Sequence, residues 1–173
     1  GTGWFNPLST RAAIIAANAV IKAKGKRHVS ETFTNFTTEN AIKSMMKNGL
    51  INKRIEWITH DRAIQDAFLK DEMCGKPFTV GAQRDLFQFI KEIQDKKRIR
   101  ESASSTAIYF ISGELDALGD YGIAAKKLHK YYLDCGYSNV TYSVINGCRH
   151  EIINELEREK VYSMIGDWML KNI

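Results

Sequence analysis

The stretch Ala107-Ile108-Tyr109-Phe110-Ile111, followed by Ser112-Gly113, decides the fold class of this chain. Five consecutive apolar residues with β-branched and aromatic members are typical of a strand buried on both faces of a parallel sheet. Residues 140–144 (Val-Thr-Tyr-Ser-Val) alternate as a half-buried strand does. Between the two strands, an apolar stripe predicts a helix over about residues 120–135, which Gly136 ends. This order predicts an α/β fold with a parallel β-α-β-α unit.

The last helix of that unit has the composition of a capping box, with Asn154 as N-cap and Glu157 three residues later. Its predicted core face has the spacing i, i+3, i+4, i+7, i+8 and consists of Val161, Met164, Ile165, Trp168 and Met169.

Residues 1–104 have little strand character and are predicted to be mainly helical. Predicted helices span about residues 11–24, 39–48, 62–70 and 83–94, and predicted loops span residues 27–38, 71–81 and 95–105. Ser9 or Thr10 is the expected N-cap of the first helix, and Thr59 or Asp61 that of the third. We therefore divide the chain into a helical part, residues 1–104, and a sheet part, residues 105–173.

The bulk composition is that of an ordinary soluble globular protein, with 173 residues, 44% hydrophobic, 26% charged and a net charge of +5. Its basic residues are scattered without interleaved aromatic residues, so no nucleic-acid partner is predicted. The three cysteines lack any CxxC or Cys/His metal spacing, which predicts no metal site and a reducing, cytoplasmic location. There is no secretory signal, and no apolar run is long enough to span a bilayer.

Asp116 and His150 each follow a predicted strand, in neighbouring strand-to-helix loops. Ligands of an open α/β sheet collect outside the carboxyl ends of its strands, where these loops meet. A carboxylate that binds one imidazole nitrogen fixes the tautomer, and the other nitrogen can then take a proton from a nucleophile. The sequence therefore predicts Asp116 as acid and His150 as base, with Glu114 as an alternative carboxylate and Cys148–His150 as a weaker alternative pair.

The motifs of the sheet part resemble a known family. They are Ile111-Ser112-Gly113-Glu114-Leu115-Asp116, Gly119-Asp120-Tyr121-Gly122, and Gly147-Cys148-Arg149-His150-Glu151 with Asn154-Glu155. Together they resemble the C-terminal end of α/β-hydrolases of the lysophospholipase and monoacylglycerol lipase type, grouped with the serine aminopeptidase-like hydrolases. Residues 57–61 and 71–75 are similar to the helical cap of that family. There the family usually has Arg where this chain has His60, and Pro where it has Glu72.

The resemblance implies that the chain is the C-terminal portion of an α/β-hydrolase fold, a helical cap followed by the β-α-β-α unit. Asp116 and His150 would be the triad acid and base of a serine hydrolase acting on carboxylic esters, without a cofactor. The substrates would be lipid esters such as lysophospholipids or monoacylglycerols.

No Gly-x-Ser-x-Gly elbow occurs in the 173 residues, and the chain begins Gly1-Thr2-Gly3 without Met. We therefore expect a fragment that is inactive alone, whose sheet needs the missing N-terminal half or another copy. One alternative is a non-catalytic cap-and-sheet module that binds a partner chain or a lipid surface, with peripheral membrane contact. Another is a related hydrolase that acts on peptides or other small substrates.

Overall fold

Two parallel strands form the sheet of this protein, in a computed structural model that describes residues 4–102 and 105–172. Strand β1 is Ile108–Gly113 and strand β2 is Val140–Ile145. Ile108 lies opposite Val140 and Gly113 opposite Ile145, so the strands pair over their whole length. A helix follows each strand, which confirms the predicted parallel β-α-β-α unit.

Helices make up most of the remaining described chain. They are α1 (Pro7–Lys24), α2 (Glu31–Thr34), α3 (Asn40–Lys47), α4 (Arg62–Lys70), α5 (Val80–Ile93), α6 (Lys96–Glu101), α7 (Ile123–Leu133) and α8 (Arg158–Lys171). A π-helical turn, Asn35–Glu39, precedes α3, and short 3-10 turns cover Arg54–Trp57 and Ile152–Asn154.

The two faces of the sheet are covered by different helices, because successive strand residues point to opposite faces. Phe110 packs edge-on against Tyr132 of α7, with 5.3 Å between the ring centroids. The next residue, Ile111, packs instead in a cluster with Val161 of α8. With α7 and α8 on opposite faces, the loops that follow the strands remain at the carboxyl edge of the sheet.

The start of α8 differs from the sequence prediction. Glu157, not Asn154, occupies the N-cap position, and its side chain makes no capping hydrogen bond. Asn154 donates from Nδ2 to Glu151 Oε2 at 2.8 Å instead. Glu155 between them is completely buried, and this tertiary burial sets the path of the chain before α8. The prediction that Met169 faces the core is also wrong, because this residue is 52% exposed.

Residues 5–40 and 76–102 belong to one compact unit. Ala13 and Ala17 of α1 are buried with Phe87 and Ile90 of α5, and these small side chains let the two helices approach closely. Phe33 joins the same cluster. This buried ring explains α2, which lies within residues 27–38 where the sequence predicted a loop.

Two helix boundaries of this unit also correct the prediction. Helix α1 begins at Pro7, because Asn6 is its N-cap and its Oδ1 accepts from the amides of Leu8 and Ser9. Residues 96–101, predicted as loop, form α6. Asp95 caps α6 by accepting from the Arg98 amide at 3.0 Å, so a local capping signal was overlooked.

The second compact unit contains Trp4, residues 41–75 and residues 105–172. Besides the sheet, it has a cluster built from Ile42 and Met45 of α3 with Ile51, against which Trp57 and Ala117 pack. Both residues predicted for chemistry belong to this unit. The division into a cap, residues 1–104, and a sheet part, residues 105–173, stays a prediction.

Candidate active site

Asp116 and His150 lie just beyond the carboxyl ends of the strands, Asp116 after β1 and His150 after β2. Their side chains are in direct contact, with 3.0 Å between His150 Nδ1 and Asp116 Oδ1. Parallel strands end at the same edge of a sheet, which brings residues 34 positions apart together. The structure thus joins the two side chains that the sequence singles out, while their catalytic role stays a prediction.

The Asp116 carboxylate is almost completely buried, with 1% of the residue exposed. Its Oδ1 also accepts from the Leu118 amide at 3.0 Å, and its Oδ2 receives no hydrogen bond from the described residues. Burial by itself raises the pKa of this carboxyl group. The His150 imidazole and the amides of Gly119 and Leu118 outweigh burial and lower the pKa below its usual range. Asp116 is therefore held as a carboxylate, the form that orients an imidazole.

Gly113, the last residue of β1, lets the two loops approach each other. A Cβ atom at this position would collide with the backbone oxygens of Cys148 and Arg149. The Leu115 amide donates to the Cys148 carbonyl at 2.8 Å, which ties the loops together at the same point. Any side chain at position 113 would push the histidine loop away from Asp116.

The His150 ring packs against one aromatic side chain and is partly exposed. Trp57 packs against it, with 4.7 Å between the ring centroids and 31° between the planes. The Glu151 amide donates to the Ile58 carbonyl at 2.8 Å and fixes the adjacent peptide. The His150 side chain is 22% exposed, and none of the described residues bonds to its Nε2. Because Nδ1 is engaged by Asp116, Nε2 is the nitrogen that can exchange a proton with a reactant.

The structure also places the two alternatives that the sequence leaves open. The Glu114 side chain points to the loop after β2, where its Oε2 accepts from the Gly147 amide at 2.9 Å. Cys148 is completely buried, and burial raises the pKa of its thiol to about 11. Such a thiol stays protonated near neutral pH and is a poor nucleophile. Asp116 is the carboxylate that contacts His150.

The histidine loop is fastened to residues 50–59, a contact that the sequence did not predict. The buried Arg149 guanidinium donates to three main-chain carbonyls, those of Glu56 at 2.7 Å, Leu50 at 3.1 Å and Thr59 at 3.3 Å. The motif Arg149-His150-Glu151 contains the donor of this contact, the Arg149 side chain. Nothing in the local sequence indicates which distant carbonyls the arginine binds.

No three of the described His, Cys, Asp and Glu side chains lie close enough together to hold a metal ion. Within the same described ranges, no helix combines the length and the apolar character needed to cross a membrane. The three cysteines form no disulfide; Cys135 and Cys148 are buried and Cys74 is partly exposed.

Solved structures with the same fold include a carboxyl esterase, a lipase and a monoglyceride lipase. A highly thermostable carboxyl esterase from Bacillus coagulans, in complex with glycerol, has a TM-score of 0.80 at 20% identity over 98% of this chain and 54% of its own. A lipase in an open form has a TM-score of 0.74 at 17% identity over 91% of this chain and 50% of its own. A soluble variant of monoglyceride lipase from Saccharomyces cerevisiae, with a substrate analog, has a TM-score of 0.61 at 16% identity over 93% of this chain and 62% of its own.

This chain thus spans about half the length of the first two structures. Comparison with curated protein sequences finds no match. The family described as serine aminopeptidase, S33 matches residues 6–157, a range that includes both Asp116 and His150. Because the match covers most of the chain and the solved structures share its fold, this chain belongs to the serine aminopeptidase S33 family of α/β-hydrolases.

Proposed function

We propose that Asp116 and His150 are the acid and base of a serine hydrolase that acts on carboxylic esters. The observation that carries the proposal is the 3.0 Å contact between a buried carboxylate and a histidine whose other ring nitrogen is accessible. The family membership and the names of the similar structures, a carboxyl esterase and a monoglyceride lipase, support the same reaction class. Lipid esters, such as lysophospholipids and monoacylglycerols, are the proposed substrates.

The proposed reaction needs a nucleophilic serine from outside these 173 residues, since they contain no Gly-x-Ser-x-Gly. As the serine oxygen bonds to the ester carbonyl carbon, its proton passes to Nε2 of His150. The bond to the alcohol then breaks, and His150 returns the proton to the leaving oxygen. A water molecule repeats the sequence on the acyl-serine and releases the acid. Asp116 holds the Nδ1–H tautomer throughout and stabilises the imidazolium.

The proposal also assigns roles to the helices of residues 1–104 and to the two-stranded sheet. Helices of residues 1–104 act as a cap that holds the acyl chain in this proposal. A two-stranded sheet is too small for independent stability, so we propose that additional strands complete it. These strands come from an N-terminal half or another copy, and the 173-residue chain by itself is inactive in this proposal. The proposed location is the cytoplasm.

A second candidate function is a non-catalytic module that binds a partner chain or a lipid surface. Within residues 4–102 and 105–172 the sheet has two strands, so each strand has an outer edge without a partner strand, and such edges can recruit other strands. Hydrolysis of peptides, suggested by the family description, is the third candidate.

A fluorophosphonate probe tests the proposal in the full-length product of the gene. We expect covalent labelling of one serine, and we expect His150→Ala to abolish it because the serine then has no base. His129→Ala is the matched control: His129 lies on α7, its ring packs against Tyr142 of β2, and labelling should persist. Absence of labelling in the wild-type product would contradict the enzyme proposal. Labelling of the 173-residue chain alone would contradict a nucleophile outside it.

A further inference from the structure

Glu155 is a completely buried carboxylate that takes no part in the mechanism derived above. It lies five residues beyond His150, just before α8. An ionised carboxylate costs several kcal/mol to remove from water unless hydrogen bonds replace the lost hydration. The groups that bind Glu155 therefore indicate what this residue is for.

All the polar contacts of the Glu155 carboxylate come from donors on two separate segments. On its own segment, the Arg149 amide donates to Oε1 at 2.7 Å. From the other, the His60 amide donates to Oε2 at 2.9 Å; the Thr59 hydroxyl lies 3.1 Å from Oε2 and shares its single proton with the nearer Asn154 carbonyl at 2.8 Å. The His60 ring nitrogen Nδ1 lies 3.2 Å from Oε1 and 3.3 Å from Oε2. One carboxylate thus joins the histidine loop to residues some 95 positions away in the sequence.

These contacts act directly on the peptide that carries His150. The Arg149 amide, on one side of His150, is fixed by Glu155, and the Glu151 amide, on the other side, donates to the Ile58 carbonyl at 2.8 Å. Trp57, next to Ile58, packs on the imidazole ring. The segment that Glu155 binds through Thr59 and His60 is therefore the same segment whose Trp57 packs against the His150 ring.

The electrostatic balance agrees with a carboxylate that stays charged. Burial raises the pKa of Glu155, but the amides of His60 and Arg149 and the His60 ring outweigh it, and the net pKa is lowered. A neutral amide in its place would direct an NH₂ group at donors and leave a buried donor unpaired. The site requires an acceptor on both carboxylate oxygens.

We propose that Glu155 is a positioning residue for His150: its carboxylate clamps the histidine loop to residues 57–60, so that Nδ1 reaches Asp116 and Nε2 faces the nucleophile. The inference rests on the proposed function for its kinetic consequences, but the geometry of the His150–Asp116 contact can be measured without turnover. His60 belongs to the same clamp, as a donor from the opposite segment.

The test uses Glu155→Gln in the full-length gene product, assayed at a temperature where the variant remains folded. We expect kcat for ester hydrolysis to fall about ten- to hundredfold, because the base is misaligned. KM should stay unchanged, because the substitution does not alter substrate binding. We also expect the NMR signal of the His150 Nδ1 proton to be lost or strongly broadened; this signal is assigned by its disappearance in Asp116→Asn.

Arg158→Gln is the matched control. Arg158 Nη1 donates to Asp61 Oδ2 at 2.8 Å and to the main-chain carbonyl of Glu155 at 3.1 Å. It therefore joins the same two segments without a hydrogen bond to the Glu155 carboxylate or to the peptide of His150. It should lower stability and leave both kcat and the Nδ1 proton signal intact. If Glu155→Gln behaves like Arg158→Gln, with lower stability alone, the positioning role is refuted.

Two further outcomes are decisive. If Glu155→Gln does not fold, His60→Ala replaces it, since the backbone amides still reach the carboxylate; kcat should fall about threefold. An unchanged kcat in His60→Ala would overturn the proposal. If the wild-type protein hydrolyses no ester, the proposed function fails, and persistence or loss of the Nδ1 signal in the folded variant then decides the positioning role by itself.

Discussion

Replacing Gly119 by Ala places a methyl group directly beside the candidate acid. Gly119 is buried, and its backbone conformation is one that alanine adopts, so the added Cβ is the whole perturbation. That atom would lie 2.6 Å from Ser112 Oγ and 2.9 Å from Asp116 Oδ2, where ordinary contacts begin at 3.4 Å. Ser112 must therefore move by about 0.8 Å (3.4 minus 2.6) and Asp116 by about 0.5 Å (3.4 minus 2.9).

Both shifts are costly, because both residues are 1% exposed and closely packed. Overpacking of this kind lowers the free energy of unfolding by about 1–3 kcal/mol. The movement of Asp116 also stretches its 3.0 Å contact with His150. A displacement of the base by a fraction of an ångström should lower kcat about tenfold or more.

Urea unfolding of the full-length product measures the first effect and steady-state ester hydrolysis the second. Gly166→Ala is the matched control: Gly166 lies within α8 with no atom near its Cβ position, so the same change should stabilise by about 1 kcal/mol and leave kcat unchanged. Wild-type stability and activity in Gly119→Ala would refute the close packing of Ser112, Gly119 and Asp116.

Three further predictions concern the buried carboxylates and the exposure of the cysteines. Asp116→Asn should lower kcat about 10²- to 10⁴-fold in steady-state assays, because an amide no longer fixes the His150 tautomer; activity near that of wild type would exclude Asp116 as the acid. The pKa values of Asp116 and Glu155 are lowered by folding, so both contribute stability above the unfolded-state pKa and lose it as pH falls; urea midpoints should be flat near neutrality and drop below about pH 4. Iodoacetamide at neutral pH should modify Cys74 before the buried Cys135 and Cys148, as mass spectrometry of peptides would show; equal modification would contradict the burial of Cys148.

Local sequence predicted the sheet well and the helix ends poorly. The apolar run that begins at Ala107 and the alternation after Val140 are properties of a few adjacent residues, so the strands and their parallel order could be predicted. Helix α2 could not, because it depends on Phe33 being buried against α5. The predicted helix over residues 83–94 contains both buried and exposed apolar side chains: Phe87 and Ile90 are buried while Phe89 is 59% exposed.

The candidate site was also only partly predictable from the sequence. Strand ends place Asp116 and His150 on neighbouring loops, and a family resemblance pointed to the same two residues. The choice of Asp116 over Glu114 depends on which side chain turns toward the imidazole, and only the structure shows that Glu114 binds the Gly147 amide. The sequence by itself could treat His60 only as an ordinary polar residue.

What the sequence determined by itself is therefore the α/β class, the order of the strands and the pair of loops in which chemistry would occur, because these follow from periodicity and chain order. What only the tertiary structure decided is how the histidine is held. Glu155 with His60, Arg149 with the carbonyls of residues 50–59, and Trp57 on His150 are contacts between segments some 90 residues apart. Such contacts form only after the two segments fold against each other, and no local pattern encodes them.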